Sequence, residues 1–201
     1  MSFVVAVMKL GYSIIAGDTQ LNDDNGPITA TGIKVFPVNN NIVIGFTGNY
    51  LEGRESVDGF LSAYKDQKLF SEKAKLLSNL LKTRCKDGNV ILVETFIHNT
   101  EYALFSSKEE WAPDIHVLSG VQVKTLFPPD VEESEYYRYI TSPDNLKSQV
   151  INCIRAVSKD SSSVNDKVYG IEMDGHGLKQ FTDGIEFEAI TMSYDYVARK
   201  L

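Results

Sequence analysis

The sequence predicts a layered α+β domain in which β-sheets lie between layers of helices. The first two predicted strands, residues 3–8 and 12–17, are apolar on both faces, so each must be covered on both sides. Along the chain, strands come first, then two helices, then strands, one helix and strands again. This order segregates the helices from the sheets. No repeat, linker or low-complexity segment interrupts it, which predicts a single domain over residues 1–201.

Short apolar runs bounded by turn-forming residues predict the strands. Gly11, which can adopt a positive φ, lies in the turn between the first two strands. Residues 22–27 are predicted to form a loop, and residues 121–141 give no clear pattern. The predicted strands are residues 3–8, 12–17, 33–36, 42–46, 90–97, 101–105, 115–118, 168–173 and 178–181.

Apolar residues at helical spacing predict three long helices. The first carries Val57 and Phe60 on its apolar face, and the second begins with Ser71 as its N-cap and ends near residue 86. Ser142-Pro143 is expected to start the third helix, with the proline at the first helical position. Residues 194–201 are assigned a short helix.

Composition and charge exclude several classes of function. The chain has 43% apolar and 23% charged residues, a net charge of −7 and no block of Lys or Arg, which argues against nucleic acid or an anionic membrane as a partner. The N-terminus lacks a basic region and a cleavage site, and no apolar run is long enough to span a bilayer. We therefore expect a soluble, cytoplasmic protein.

The cysteines and histidines do not indicate a metal or cofactor site. Cys85 and Cys153 are too few and too far apart for a metal cluster or a disulfide framework, so we expect reduced core thiols. His98 and His176 lie in predicted turns and are expected at the surface, whereas His116 on a short apolar strand is expected in the core. No phosphate-binding glycine loop is found. We expect no cofactor, no metal and no ATP hydrolysis by this chain.

The first hairpin sets the position of Ser2. A two-residue loop at Leu10-Gly11 fixes its register and puts Phe3 opposite Asp18 and Ser2 opposite Thr19. The hairpin therefore carries Ser2 and Asp18 to the same strand end. A shift of one residue in the register would remove this juxtaposition.

Lys34 is unusual because it lies between apolar neighbours on a predicted strand. An ammonium that points into a covered sheet needs an anionic partner, and Asp18 is the candidate. The alternative is that Lys34 points to solvent from an edge strand and that Asp18 is a carboxylate in a turn.

Ser2 could supply both a nucleophile and a base. Methionine is commonly removed before a small second residue, and removal of Met1 would leave Ser2 with a hydroxyl and a free α-amine. The α-amine has an ordinary pKa of about 7.7–8.0, so its neutral fraction can take the hydroxyl proton directly or through a water. A nearby Lys34 would favour the alkoxide and lower the pKa of the amine. The alternative is that Ser2 is simply a small residue at position 2.

The pattern of the N-terminal half is specific. It consists of Ser2, Gly11, Ala16-Gly17-Asp18, Gln20, Lys34-Val35 and Gly45-Phe46-Thr47-Gly48. Together these residues resemble the N-terminal half of a proteasome β-type subunit, and more closely a bacterial HslV-type peptidase. The weaker resemblance of the C-terminal half rests on Leu118-Ser119-Gly120, on the D-x-x-S pattern from Asp160 to Ser163 and on residues 168–175.

The resemblance implies a four-layer αββα sandwich of the N-terminal-nucleophile (Ntn) hydrolase type. It implies a serine- or threonine-type peptidase that cleaves unfolded polypeptides, assembles as a homo-oligomeric ring and works with a separate ATP-dependent unfoldase. Ser2 would be the nucleophile, Asp18 and Lys34 its charged partners, and the Gly48 N–H the oxyanion donor. The α-amine of Ser2 would be positioned by Asp160, Ser163 and Ser119.

The chain also departs from the family pattern. Serine replaces the usual threonine nucleophile, Thr47 replaces a small apolar residue, and Val164-Asn165 replaces a glycine pair. If Met1 were retained, the amine would be acylated and could not act as a base. Two alternatives therefore stay open: a catalytically inactive proteasome-fold subunit with a binding or scaffold role, and an Ntn amidohydrolase that acts on small amides.

Overall fold

The structure is a computed structural model that describes residues 2–23, 26–128, 131–132, 136–140 and 145–186. Its strands form two five-stranded antiparallel sheets and one two-stranded ribbon. The strands are β1 (Val4–Lys9), β2 (Tyr12–Asp18), β3 (Gln20–Asp23), β4 (Gly26–Thr31), β5 (Val35–Pro37), β6 (Ile42–Gly48), β7 (Gly88–Phe96), β8 (Asn99–Ser106), β9 (Asp114–Val117), β10 (Gln122–Leu126), β11 (Val168–Met173) and β12 (Leu178–Asp183). The first sheet has the order β10-β1-β2-β11-β12, the second has the order β5-β6-β7-β8-β9, and β3 pairs with β4.

The described residues also form the helices α1 (Tyr50–Ala63), α2 (Phe70–Arg84) and α3 (Leu146–Asp160). Asn49 caps α1, because its side chain accepts hydrogen bonds from the first free backbone N–H groups of that helix. In the first turn of α2, the Glu72 carboxylate accepts hydrogen bonds from the backbone N–H groups of Lys68 and Leu69, which precede the helix. Leu69 is therefore the residue that precedes α2, and the prediction that Ser71 is its N-cap is wrong.

Three apolar clusters connect these elements. Alternation along β1 sends Val4, Ala6 and Met8 toward residues of the second sheet, so one cluster lies between the two sheets. Phe3, Val5 and Val7 point the other way and pack against α3. A third cluster joins α1 and α2 to the second sheet. The chain is thus a mixed α+β protein with antiparallel sheets, and the prediction that β1 and β2 are covered on both faces is confirmed.

Several elements differ from the sequence prediction. Residues 22–27 were expected to form a loop, but residues 22–23 end β3 and residues 26–27 begin β4, while residues 24–25 lie outside the described residues. β10 lies within the region that gave no clear pattern. Cys85 and Cys153 are buried and unpaired, and His98 and His176 are exposed, as predicted.

The expectation for His116 is wrong, because this side chain is 38% exposed and contacts Asp114. The predicted helix start at Ser142-Pro143 and the predicted helix at residues 194–201 lie outside the described residues. None of the helices in the described parts of the chain combines the length and the apolar character that crossing a membrane requires.

Candidate active site

The buried carboxylate of Asp18 contacts several other groups of the candidate site. Its Oδ1 accepts the N–H of Phe3 at 2.8 Å, and its Oδ2 accepts the N–H of Gln20 at 3.0 Å. The Lys34 Nζ lies 2.6 Å from Oδ2 as an ion pair, and both side chains are almost fully buried. The hypothesis that Asp18 is the partner of a buried Lys34 is therefore confirmed, and the alternative of a solvent-facing Lys34 is wrong.

The register of the first hairpin brings Ser2 to this carboxylate. Strands β1 and β2 pair with Val4 opposite Gly17, and the Asp18 N–H donates to the Phe3 carbonyl at 3.2 Å. The predicted pairing of Phe3 with Asp18 is thus confirmed. Because Ser2 and Phe3 share a peptide bond, the same carboxylate holds the backbone that follows Ser2 and the ammonium of Lys34. The Ser2 residue is itself buried.

Lys34 reaches Asp18 because of its position just before β5. Its carbonyl accepts the Phe46 N–H at 2.9 Å, which ties this segment to β6. A Cβ placed on Gly17 would lie 3.0 Å from the Phe3 carbonyl oxygen and 3.5 Å from the Lys34 Cβ, so the missing side chain leaves room for the lysine. Burial lowers the pKa of Lys34, and the Asp18 carboxylate opposes this shift. This ammonium gives up a proton more readily than an exposed lysine does.

Gly48 lies at the same end of the molecule. A Cβ on Gly45 would be 2.9 Å from Val4 Cγ1, so β6 crosses β1 near the site, and Gly48 ends β6 on the side of the Lys34–Phe46 contact. Gly48 has a φ of 115°, and a Cβ there would lie 2.4 Å from the Asp87 carbonyl oxygen. Its backbone conformation alone therefore requires glycine, whether or not its N–H binds an oxyanion.

The segment that follows α3 is tied to the strand end of Asp18. The Ser162 carbonyl accepts a hydrogen bond from Gln20 Nε2 at 3.0 Å, and the Ser163 carbonyl accepts one from Asn22 Nδ2 at 3.2 Å. Asn165 Oδ1 accepts the backbone N–H of Thr19, also at 3.2 Å. Ser163 therefore lies in a segment that is packed beside the site.

The side chains of Asp160 and Ser163 have other partners within the described residues. The Tyr136 hydroxyl donates to Asp160 Oδ2 at 2.6 Å, and the Ser163 hydroxyl lies 2.8 Å from that of Ser161. The D-x-x-S pattern thus lies at the expected end of the molecule, and its carboxylate accepts a hydrogen bond from a tyrosine hydroxyl there.

Ser119 does not join this site, and its predicted role in positioning the amine is wrong. The N–H of its neighbour Leu118 donates to the Thr100 carbonyl, and the Thr100 hydroxyl donates to the Lys9 carbonyl. These contacts put Ser119 at the Lys9 end of β1, whereas Ser2 precedes the other end. At about 3.3 Å per residue, the length of this strand separates them.

Sequence reasoning missed the side chains that hold the site together. Gln20, Asn22 and Asn165 connect β3 and Thr19 to the segment after α3. Gln20 was noted only among the residues that carry the family resemblance, and Asn22 was assigned to the loop predicted at residues 22–27. Residues two apart on a strand share a face, but the strand that carries both side chains was not predicted. Asn165 was recognised only as a departure from a glycine pair. Its amide also bonds the Thr19 hydroxyl, a contact that glycine could not make.

In the described ranges, no group of His, Cys, Asp and Glu side chains is arranged to hold a metal ion. A comparison with models of known protein families finds no match, and a comparison with curated protein sequences also finds none.

Proposed function

We propose that this chain is an Ntn hydrolase of the proteasome β and HslV type, in which Ser2 cleaves peptide bonds of unfolded polypeptides after removal of Met1. The observation that carries the proposal is the buried Asp18 carboxylate, which binds both the Lys34 ammonium and the N–H that follows Ser2. Burying an ion pair carries a large desolvation penalty. Titratable groups whose pKa values are strongly shifted are typical of catalytic sites.

The fold supports the same proposal. The three apolar clusters lie between α1–α2 and the second sheet, between the two sheets, and between the first sheet and α3. This arrangement fits the four-layer αββα sandwich that the family uses.

In the proposed mechanism, the free α-amine of Ser2 takes the proton of the Ser2 hydroxyl, and the oxygen attacks the substrate carbonyl. Lys34 stabilises the developing alkoxide, and Asp18 keeps Lys34 charged and oriented. The Gly48 N–H would donate to the oxyanion, a contribution on the order of 3 kcal/mol for one such donor. The amine then protonates the leaving group, and water hydrolyses the acyl-enzyme. Asp160, the last residue of α3, and Ser163, in the segment after α3, would position the amine.

The same proposal covers the assembly, the localisation and the partner of the protein. The family likeness favours a cytoplasmic homo-oligomeric ring that receives unfolded chains from a separate ATP-dependent unfoldase. The sequence shows no glycine-rich phosphate-binding loop, so we assign the ATP-dependent unfolding to another protein.

An intact-mass measurement after treatment with a β-lactone, an electrophile that acylates N-terminal nucleophiles, tests the proposal. We expect loss of the Met1 mass and one adduct, and we expect the adduct and peptide hydrolysis to disappear in Ser2→Ala. Ser2→Thr should retain both. Ser62→Ala, which removes an exposed hydroxyl on α1, is the matched control and should behave as the unaltered protein. Complete retention of Met1 without an adduct would contradict the proposal.

One alternative has specific support, namely a proteasome-fold subunit without catalysis. The Asp160 carboxylate is engaged by Tyr136, and Ser119 lies at the far end of β1. Both placements reduce the set of groups available to hold an α-amine. This alternative predicts that the protein assembles with Met1 retained and with no β-lactone adduct.

A further inference from the structure

The outer edge of β9 differs from the other sheet edges of this protein. β10 and β12 carry Lys124 and Lys179, and β5 has three residues and ends at Pro37. Lysine, proline and short length are the usual means by which an edge strand avoids pairing with another chain. β9 is itself only four residues long and follows Pro113, but it contains neither lysine nor proline within its bounds, and no described strand pairs with its outer edge.

The backbone of β9 presents hydrogen-bonding groups on that edge for which the described part of the chain supplies no strand. The Leu118 N–H points toward β8, where it donates to the Thr100 carbonyl. Because successive residues of an antiparallel strand alternate between its two neighbours, His116 and Asp114 also direct their backbone groups toward β8. The N–H and C=O groups of Ile115 and Val117 therefore point outward.

The side chains of β9 could contact those of a strand paired with its outer edge. Ile115 and Val117 share one face of the strand and are 39% and 66% exposed. Asp114 and His116 share the other face, where His116 Nε2 lies 2.8 Å from Asp114 Oδ2 and the imidazole stacks on Tyr102. One face thus offers apolar surface, and the other offers an acid and a base spaced two residues apart.

We propose that β9 pairs antiparallel with β9 of a second copy of this chain, joining the second sheets of the two copies across a two-fold axis. Centring the pairing on Ile115 puts Asp114 of each copy opposite His116 of the other, and Val117 opposite Pro113. In this register the two Ile115 residues exchange backbone hydrogen bonds, and each Val117 N–H donates to a Pro113 carbonyl. The register centred on His116 would instead put the two imidazoles opposite each other. Charge complementarity therefore selects the Ile115-centred register and favours an identical chain as the occupant.

Disulfide trapping tests this pairing and its register. In the proposed dimer the two Ile115 Cα atoms would be about 5.5 Å apart, within disulfide range, and the two Val117 Cα atoms would be about 14 Å apart. Under mild oxidation we expect Ile115→Cys to form a cross-linked dimer about tenfold faster than Val117→Cys. Leu51→Cys, at an exposed apolar position on α1, is the control. Cys85 and Cys153 are buried and should not interfere. Equal rates for all three variants, or no dimer with Ile115→Cys, would overturn the proposal.

Charge exchange in the Ile115→Cys protein provides a second test. His116→Glu puts a carboxylate opposite Asp114 of the other copy, and Asp114→Lys removes the acidic partner of His116. Each should slow cross-linking several-fold, and the double variant should restore it, because the introduced lysine of each copy would then face the introduced glutamate of the other. If the double variant is slowed as much as the single ones, the register is wrong. These outcomes do not depend on Ser2, so they are independent of the proposed peptidase activity.

Discussion

At the scale of single residues, the Asp18 carboxylate connects stability with the proposed chemistry. It accepts two backbone N–H groups and neutralises a lysine that is removed from water. Removing one partner of a buried ion pair leaves an uncompensated charge, which costs more than replacing both partners by apolar groups. The residue that would orient Lys34 for catalysis therefore also secures the start of the chain.

We predict that Asp18→Asn lowers the free energy of unfolding by about 3–5 kcal/mol. The double variant Asp18→Asn/Lys34→Met should recover part of this loss, because it also removes the orphaned ammonium. Urea unfolding of both variants and of the unaltered protein at neutral pH measures the difference. A double variant less stable than Asp18→Asn would show that the Lys34 charge is not what makes the single change costly.

Some site residues could be predicted from the sequence, and the reason is local chemistry. Lys34 stands out because a charge between apolar neighbours needs a partner, and the hairpin register then provides Asp18. Ser119 belongs to a short pattern of common residues, and its position depends on where the chain passes between the sheets. The residues Leu118-Ser119-Gly120 carry no local signal of that path, so the prediction that Ser119 positions the amine failed.

At the scale of elements, the close packing of α1 on β6 depends on a helical glycine. A Cβ on Gly53 would lie 2.5 Å from the Phe46 ring, which itself packs on Phe36 and Tyr50. A Cβ on Gly59, six residues later in α1, would instead meet the flexible ends of the Arg84 and Leu80 side chains. A side chain at Gly53 would therefore clash with a packed ring, whereas a side chain at Gly59 would displace only flexible side-chain ends.

We predict that alanine at these two glycines changes the stability of the protein differently. Gly53→Ala should destabilise the protein by about 1–3 kcal/mol, because the Phe46 ring must move within a packed cluster. Gly59→Ala should be neutral or stabilising by up to about 1 kcal/mol, because alanine favours the helix and long side chains can give way. Thermal unfolding of both variants provides the comparison. Equal destabilisation by the two changes would mean that α1 does not pack on Phe46 as closely as described.

Elements were predictable where their apolar periodicity was strong. β1, β2, β11 and the apolar faces of the helices follow from such patterns, because burial on a fixed side imposes the period. The ribbon β3–β4 carries Gln20 and Asn22, whose polar side chains bond a distant loop instead of entering a core. Tertiary hydrogen bonds that join residues more than 140 positions apart leave no local pattern.

At the scale of the whole molecule, the two ends of the paired sheets differ. At the end opposite Ser2, three hairpin turns are in direct contact: Cβ atoms on Gly11 and Gly175 would lie 2.4 Å and 2.6 Å from backbone atoms of Ile97. Nearby, the buried hydroxyls of Ser13 and Thr95 lie 2.8 Å apart and join the two sheets. Contacts between the turns close this end of the paired sheets, and the groups of the candidate site lie at the other end.

The layered core also predicts how the whole protein responds to alkaline pH. Burial raises the pKa of the Cys153 thiol from its ordinary value of 9.0 to about 12. Above pH 9 the unfolded chain loses this proton while the folded protein keeps it, so the folded state binds more protons and stability falls as pH rises. The lowered pKa of Lys34 acts in the opposite direction below its ordinary value of 10.5.

We therefore predict that Cys153→Ala flattens the alkaline loss of stability. Between pH 8 and pH 10 the thiol should account for about 1 kcal/mol of the decrease in the free energy of unfolding, and the variant should lack this contribution. Lys34 is present in both proteins, so its opposing effect cancels in the comparison. Asn152→Ala, on the exposed side of α3, is the control and should follow the unaltered protein. Urea unfolding at several pH values measures the slopes, and parallel curves for Cys153→Ala and the unaltered protein would show that the thiol ionises as easily in the folded core as in the unfolded chain.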